Sequence, residues 1–404
     1  MSTNKYLVAR GLNSASYAKS IASTWIWAPA LFVSSQIAYQ YGLSGFLMFL
    51  IPNVLTLLIF GFVCDKFDID FSTAVETVKK VGKVQEAEHL TITSALLIGS
   101  TFVQILGIHA LLSQWFGVPR LVSAFAILGL SLLIIWGKGL KACIKTDAFK
   151  YEVIFLCGLV LILCADNNSV MHFGGHVPFD AFSLFLSFGL PTAIGLLSAP
   201  YADTTFWQRA NSIEKGNRFK TFCFAGLFFA IIPLLFSIIG FSAPTTENWQ
   251  LQNFVNSFFP MMLLAVAVLS ALIATVDSNL CAVGALAKKG KENVTIIAFC
   301  ALLTVLFCWL DNLTIVDLFL LYGTLRTVAS VPTILSLTNH FSAKRLQIAT
   351  GTAMIVCPIG FALAQPYGNG WIFTVLALLI PLLGYKNNET SRHIPSAYCI
   401  RSID

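Results

Sequence analysis

The chain has 404 residues, of which 57% are hydrophobic and only 11% are charged. Soluble globular proteins carry about 25% charged residues, so this composition leaves too few charges to cover a water-exposed surface. The same numbers exclude a disordered chain, a coiled coil, a collagen and a disulfide-bonded secreted domain. The composition therefore predicts a protein that crosses a membrane several times.

Twelve apolar segments follow one another along the chain, and most are close to the length of about 20 residues that a helix needs to cross a bilayer. They cover residues 20–40, 46–64, 91–116, 120–137, 149–166, 183–203, 220–241, 256–287, 293–310, 314–338, 346–364 and 370–385. We therefore expect an all-α polytopic membrane protein with 12 transmembrane helices in a single domain over residues 1–404.

The basic residues lie almost entirely on one side of this predicted arrangement. Of the 25 Lys and Arg, 23 fall in the N-terminal stretch, the even-numbered connections or the C-terminal tail, and only Arg120 and Arg326 do not. Because cytoplasmic loops are enriched in Lys and Arg, this pattern predicts a multi-pass protein of the plasma (inner) membrane with both termini in the cytoplasm. Basic residues spread over short loops do not indicate a nucleic-acid site, so we expect no nucleic-acid partner.

The connections between the spans are too short to form a catalytic domain. The sequence contains no phosphate-binding loop, no nucleophile elbow and no HExxH motif, and its ten cysteines show no CxxC spacing. We therefore predict that the chain is not an enzyme, binds no nucleotide and needs no cofactor apart from a coupling ion such as Na⁺. Two classes of function remain: a protein that moves a solute across the bilayer, and one that senses a solute there.

Ionisable residues inside membrane spans are costly and are the first candidates for a polar path. Arg326 lies about twelve residues into the tenth span, which is about 18 Å by helical rise and so near the midplane. Asp277 lies in the inner half of the eighth span, and Asp147 and Asp203 stand at the ends of the fifth and sixth. The alternatives are a structural ion pair for Arg326 and Asp277, and solvation at a helix end for the other two.

Helix breakers interrupt the first and the sixth span. The first span contains Pro29, and the sixth contains Gly189, Pro191, Gly195 and Pro200. A proline in mid-span frees backbone carbonyls, which are tolerated at that depth only if they face protein or a water-filled cavity. Broken helices at matching places in two halves are typical of transporters built from an inverted repeat, and spans one and six match if the repeat has five helices.

Four separated segments resemble the sodium/solute symporter family. They are SIASTWIWA at 20–28 continuing to YQYGLSG at 39–45, KTD at 145–147, DTTFWQRA at 203–210 and ALIATVDS at 271–278. The first segment is most similar to the urea-transporting branch of the family. The resemblance implies a leucine-transporter-type fold with a 5+5 inverted repeat, in which residues 20–166 and 183–338 are the two repeats, 346–385 form two accessory helices and 386–404 a cytoplasmic tail.

The resemblance also implies a sodium site between the first and eighth helices. Its ligands would be the backbone carbonyls of Ser23, Ile26 and Ala271 and the hydroxyl of Thr275, with Asp147 on the inward exit path of the ion. Carbonyls freed near a helix break are suitable ligands for such a hard cation.

Two departures from the family pattern leave the coupling ion open. Ala274 stands where the family has a serine ligand, and Lys150 stands where it usually has glutamine. Coupling to Na⁺, coupling to H⁺ through Asp277 or Asp203, and no coupling at all remain alternatives. Arg326 could occupy the vacated cation site, bind a substrate carboxylate or pair with Asp277.

The candidate functional residues fall into two further groups. The candidates for contact with the solute are Trp25, Trp27, Gln36, Gln104, Tyr322 and Arg326, and those for coupling or gating are Asp277, Asp203 and Pro29. We expect an ion-coupled (Na⁺ or H⁺) symporter of a small polar organic solute, such as urea, an amino acid or a short carboxylate, working by alternating access. The alternative is a membrane sensor or degenerate transporter that acts through a partner, and a passive channel is third.

Overall fold

A computed structural model describes residues 4–164, 171–244, 251, 258–310 and 315–386. These residues are almost entirely helical, and their only β feature is an isolated bridge between Phe341 and Tyr385. The helices, in chain order, are α1 (Ser14–Trp25), α2 (Ala28–Lys66), α3 (Ala74–Val78), α4 (Lys83–Phe116), α5 (Arg120–Trp136), α6 (Leu140–Leu163), α7 (Ala181–Leu184), α8 (Leu190–Ala202), α9 (Thr204–Ser212), α10 (Arg218–Phe241), α11 (Phe258–Leu286), α12 (Glu292–Trp309), α13 (Ile315–Thr338), α14 (Ala343–Ala364) and α15 (Gly370–Leu382). Of the predicted tail, residues 387–404 lie outside the described ranges.

Eight helical rods among the described residues are long and apolar enough to cross a bilayer. They are α2, α4, the continuous rod α7–α8, α10, α11, α12, α13 and α14, while α5 and α15 are shorter apolar helices. Leu133, Phe149 and Leu363 are more than 60% exposed, which is the placement expected of side chains that face lipid. The predicted all-α membrane protein is therefore confirmed, and the count of twelve spans stays a prediction.

A kink at Gly42 divides the 39 residues of α2 into two rods. Gly42 has φ +62° and ψ −149°, a conformation that side-chain-bearing residues rarely adopt. The backbone of the loop after α6 lies directly against the kink, since Leu43 N donates to Phe173 O at 2.9 Å. A Cβ atom on Gly42 would be 2.0 Å from that same carbonyl, so only glycine fits.

Two helices that carry candidate residues approach each other closely. A Cβ atom on Gly195 of α8 would come within 2.6 Å of the Gly323 Cα of α13. Two facing glycines allow the helix backbones to come together without side chains between them. This contact fixes α13, and with it Tyr322 and Arg326, beside the end of α8.

Candidate functional site

The first predicted span is broken at its middle. α1 ends at Trp25, Ile26 and Trp27 are non-helical, and α2 begins at Ala28 with Pro29 in its first turn. A proline there costs no hydrogen bond, because the first N–H groups of a helix have no partner within it. Ile26 and Trp27 are buried, so protein encloses this break, as it must where backbone is freed within a membrane span.

The end of α1 faces α11 across the predicted cation site. The hydroxyl of Thr275 donates to the Thr24 carbonyl and to its own-helix carbonyl at Ala271, both at 3.4 Å. Ser23 Oγ donates to the Asp147 carbonyl at 2.9 Å. The structure thus brings the predicted residues of α1, α6 and α11 to one place.

A network of buried charges lies beside this place. We call Asp147, Lys150, Arg209 and Asp277 the buried ion cluster; Asp147, Arg209 and Asp277 are fully buried and Lys150 is 7% exposed. Lys150 Nζ contacts Asp147 Oδ1 at 3.2 Å and forms an ion pair with Asp277. Arg209 Nη2 contacts Asp147 Oδ2 at 3.0 Å. Asp147 is therefore not solvated at a helix end.

Polar side chains of three helices complete the cluster. Ser20 Oγ donates to Asp147 Oδ2 at 2.7 Å and accepts from Arg209 Nε at 3.0 Å. Arg209 Nη2 also donates to Ser278 Oγ at 2.7 Å, and Cys143 Sγ lies 3.4 Å from Asp277 Oδ1. The cluster connects α1, α6, α9 and α11. Along the chain, its α1 residue Ser20 lies before the break at Ile26 and Trp27.

The predicted sixth span, residues 183–203, is helical up to its last residue, so the break expected within it is wrong in position. The break lies at Asp203, which has φ −88° and ψ 111° between α8 and α9. The glycines and prolines of this span do not break it at their own positions. Pro191 lies in the first turn of α8, after the π-helical segment Phe185–Gly189, and Pro200 lies inside α8. The Asp203 N–H still donates to the Ala199 carbonyl at 3.0 Å, so the helix ends just beyond its last proline.

Arg326 joins this second break to the first. Its Nη2 contacts Asp203 Oδ2 at 2.6 Å, and Tyr322 donates its hydroxyl to Asp203 Oδ1 at 3.2 Å. The guanidinium carbon is 3.9 Å from the ring centre of Tyr322, 4.9 Å from that of Trp27 and 5.4 Å from that of Trp25. The partner of Arg326 is thus Asp203, and not Asp277, which pairs with Lys150.

Three buried N–H donors at this place have no hydrogen-bond partner among the described residues. They are Nε1 of Trp25, Nε1 of Trp27 and Nε of Arg326. Unpaired buried donors are costly, since each has lost its hydrogen bonds to water. We call Trp25, Trp27, Tyr322 and Arg326, with its partner Asp203, the central cage.

The two predicted glutamines lie away from the cage. Gln36, on the first rod of α2, lines an open vestibule of about 570 Å³ together with Gln40, Tyr41 and side chains from α4 and α13. Gln104 is buried on α4, where its Nε2 donates to the Ser100 carbonyl at 3.0 Å. Leu320 lines both the vestibule and the closed gap beside Arg326, so it separates the two spaces.

Residues 4–13 lie at the opposite end of the bundle, which we call the N-terminal face, and they contact α9 and α11 there. Gln208 Nε2 donates to the carbonyls of Tyr6, at 2.6 Å, and Cys281, at 3.2 Å. Ala9 N donates to Ser212 Oγ at 3.0 Å, and Tyr6 itself is 1% exposed. A second open cavity of about 570 Å³ lies on this same face, where its lining includes Asn13, Tyr17 and Asn211. Cavities of similar volume therefore lie on both faces, with the cage and the cluster between them.

Sequence reasoning missed the roles of two residues in the cluster. The charge pattern assigns Lys150 to a basic cytoplasmic connection, although it falls inside the predicted fifth span three residues after Asp147, a spacing at which side chains meet on a helix. The same pattern assigns Arg209 to the connection after the sixth span, and Arg209 also belongs to a family motif. For Arg209 no sequence signal identifies the partner, because Asp147 lies 62 residues away.

Comparison with known proteins shows similarity to solved structures only. No protein-family model matches the chain, and no significant relative occurs among curated proteins. A Na⁺-coupled sialic acid symporter, solved in a substrate-bound outward-open state, is 15% identical over 93% of this chain and 89% of its own, with a TM-score of 0.71.

Two further structures are similar over almost the whole chain. Mhp1, a nucleobase-cation-symport-1 family transporter solved in a closed conformation with bromovinylhydantoin bound, is 12% identical over 92% of this chain and 91% of its own, with a TM-score of 0.57. A manganese transporter of Eremococcus coleocola is 14% identical over 95% and 90%, with a TM-score of 0.51. The chain therefore has a leucine-transporter-type fold, and the proteins it resembles are transporters.

Proposed function

We propose that this protein is a secondary active transporter that moves a small polar organic solute by alternating access, driven by a gradient of Na⁺ or H⁺. One observation carries the proposal: two broken helices meet around Arg326, which pairs with Asp203 at one break and stacks on Trp25 and Trp27 at the other. Broken helices at the bilayer midplane are where transporters of this kind bind their solutes and ions.

The proposed membrane arrangement has twelve spans. Span one consists of α1 and the first rod of α2, and span two is the second rod of α2. Spans three to five are α4, α5 and α6, and they complete the five-helix repeat predicted for residues 20–166. The second repeat, within 183–338, ends with α13, and α14 and α15 are accessory helices. The two breaks then hold corresponding places in the repeats, and the basic residues favour a cytoplasmic N-terminal face and cytoplasmic termini.

The fold of the Na⁺-coupled sialic acid symporter supports two narrower proposals. Together with the four motifs, it favours a distant member of the sodium/solute symporter family, with the first helix most similar to the urea branch. It also makes Na⁺ a candidate coupling ion at Ser23, Ile26, Ala271, Thr275 and Asp147. A proton is the other candidate.

The central cage indicates what the solute must offer. The unpaired N–H groups of Trp25, Trp27 and Arg326 need acceptors, and the aromatic faces suit a flat or apolar part of the solute. A carbonyl or carboxylate oxygen meets this need, as in urea, an amino acid or a short carboxylate. A solute that also carries N–H groups could donate to Asp203.

Uptake into proteoliposomes tests the proposal. The purified protein would be screened with radiolabelled urea, proline and short carboxylates under an imposed Na⁺ gradient, an imposed H⁺ gradient, or neither. We expect saturable uptake of at least one solute that responds to one gradient. The control variant Arg345→Ala, which removes an exposed arginine, should retain this uptake. Binding of a solute in detergent without uptake into vesicles would favour a sensor. Uptake that does not saturate would favour a channel. Either result would overturn the proposal.

A further inference from the structure

The buried ion cluster contains the groups of a cation site. Ligand atoms of Cys143, Asp147 and Asp277 all lie within 4.8 Å of one another, and all three residues are fully buried. Two carboxylates this close and this deep repel each other strongly unless a cation lies between them. Some cation must therefore be present for the fold to keep both aspartates ionised.

A cation of the chain itself already fills this place. The ammonium group of Lys150 contacts Asp147 Oδ1 at 3.2 Å and forms an ion pair with Asp277, so it bridges the two carboxylates. Its side chain is only 9% exposed. The lysine is also well placed by its own helix, because it follows Asp147 by three residues on α6.

The charges of the cluster balance without a further ion. Lys150 and Arg209 supply two positive charges, and Asp147 and Asp277 supply two negative ones. A Na⁺ ion entering beside them would leave one positive charge without a partner in a buried place, which costs several kcal/mol.

The neighbouring oxygens are also engaged in hydrogen bonds. The Thr275 hydroxyl donates to the carbonyls of Thr24 and Ala271, and the Asp147 carbonyl accepts from Ser23. Ala274 contributes no hydroxyl of its own, and its carbonyl accepts from Ser278 Oγ at 2.7 Å. The charge balance and the shortage of free oxygen ligands therefore both disfavour a Na⁺ ion at this place.

We propose that Lys150 is a resident cation, which takes the place of a free Na⁺ between α1, α6 and α11. The native protein then binds no Na⁺ at this place, and its transport does not depend on Na⁺. The transport part of this inference rests on the proposed function, for which the proton gradient is then the driving force; the binding part does not. Removing the lysine converts the place into a Na⁺ site.

Melting of the purified full-length protein in detergent, in NaCl and in choline chloride of equal ionic strength, tests the binding part. The native protein should melt at the same temperature in both salts. Lys150→Ala leaves Asp277 unpaired, so it should melt lower in choline and be stabilised by Na⁺. The melting temperature of Lys150→Ala should rise by at least about 3 °C when the Na⁺ concentration is about 100 times the Kd of this variant for Na⁺.

Three further variants serve as matched controls. Lys145→Ala removes an exposed lysine of the same helix, and Lys150→Arg keeps the buried positive charge, so neither should respond to Na⁺. Lys150→Ala combined with Asp277→Asn removes one charge of each sign, so it should fold without a Na⁺ response. Saturable ²²Na⁺ binding to the native protein, or an equal response of Lys150→Ala and the double variant, would overturn the proposal.

Transport is measured separately, so that the two proposals can fail independently. The uptake rates of the native protein in Na⁺ and in choline should have a ratio of about 1, since the resident ammonium makes the free ion unnecessary. A native rate that rises with Na⁺ in a saturable way would overturn the resident-cation proposal. Absence of any uptake would overturn the proposed function and leave the melting and ²²Na⁺ results to decide this one.

Discussion

The pair formed by Arg326 and Asp203 is the charged contact that holds the two helix breaks together. The side chains are 5% and 11% exposed, so the charges are largely removed from water. A buried ion pair adds little net stability, but losing one partner leaves the other charge uncompensated at a cost of about 3–5 kcal/mol. The pair is therefore better explained by a role in the site than by a role in stability.

This explanation predicts how substitutions at the pair will behave. Arg326→Ala and Asp203→Ala should each lower the melting temperature in detergent, because each strands a buried charge. The double variant should be more stable than the sum of the single losses predicts, by about 0.5–3 kcal/mol, and still transport nothing. Melting and uptake of the four proteins in this cycle measure both effects.

The control separates the site from the fold. Arg345→Ala removes an exposed arginine and should change neither melting nor uptake. If the double variant transports normally, the pair has no role in the site, and the assignment of the cage to the solute is wrong.

The sequence identified individual candidate residues but not their partners. Trp25, Trp27, Tyr322 and Arg326 were predicted to line one site, and the structure brings them together. The pairing of Arg326 could not be predicted, because Asp203 lies 123 residues away in the chain. Such pairs depend on how helices pack, which neither composition nor spacing encodes.

At the scale of elements, helix breaks were predicted with unequal accuracy. In the first span the break lies at Ile26 and Trp27, just before Pro29, because a proline can begin a helix but has no N–H to continue one. In the sixth span four breakers precede the actual break at Asp203, and the helix accommodates them through a π-helical segment and an internal proline. The predicted break within residues 183–203 was therefore wrong in position, since the break lies at the last of them, Asp203.

The kink of α2 provides a prediction for a single element. Gly42→Ala should lower the yield of folded protein and its melting temperature, because an alanine at φ +62° is strained and its Cβ would lie 2.0 Å from Phe173 O. The strain alone costs about 1–3 kcal/mol, and the clash with the loop adds to it. Melting in detergent and size-exclusion profiles measure the loss.

A second glycine makes the comparison specific. Gly129 lies within helix α5, where a Cβ atom would meet nothing within 4 Å. Gly129→Ala should therefore leave melting unchanged or raise it slightly. Equal behaviour of the two variants would show that the contact between the kink and the loop after α6 does not determine the shape of α2.

At the scale of the whole molecule, the composition and the basic residues predicted the class of protein. A hydrophobic content of 57% and apolar segments of span length require a bilayer, whichever way the helices pack. The repeat could not be seen in the sequence, because two halves can share a backbone path without sharing residues. The correspondence of the two repeats therefore stays a prediction, supported by the positions of the breaks.

The cavities on the two faces of the molecule suggest where a transport cycle would open and close it. A vestibule of about 570 Å³ opens on one face, and a cavity of the same volume lies on the N-terminal face, where Gln208 also contacts Tyr6. A carrier alternates between a state open to one face and a state open to the other. The buried ion cluster lies between the two faces, where α1, α6, α9 and α11 would have to separate.

Counterflow in proteoliposomes tests whether the site faces one side of the membrane at a time. Vesicles preloaded with unlabelled solute, chosen from the uptake screen, are diluted into a trace of the same solute in labelled form. A site that faces one side at a time predicts that preloading raises the initial rate of label entry several-fold, and that Arg326→Ala abolishes the effect. Label entry that is indifferent to preloading and rises linearly with concentration would contradict alternating access.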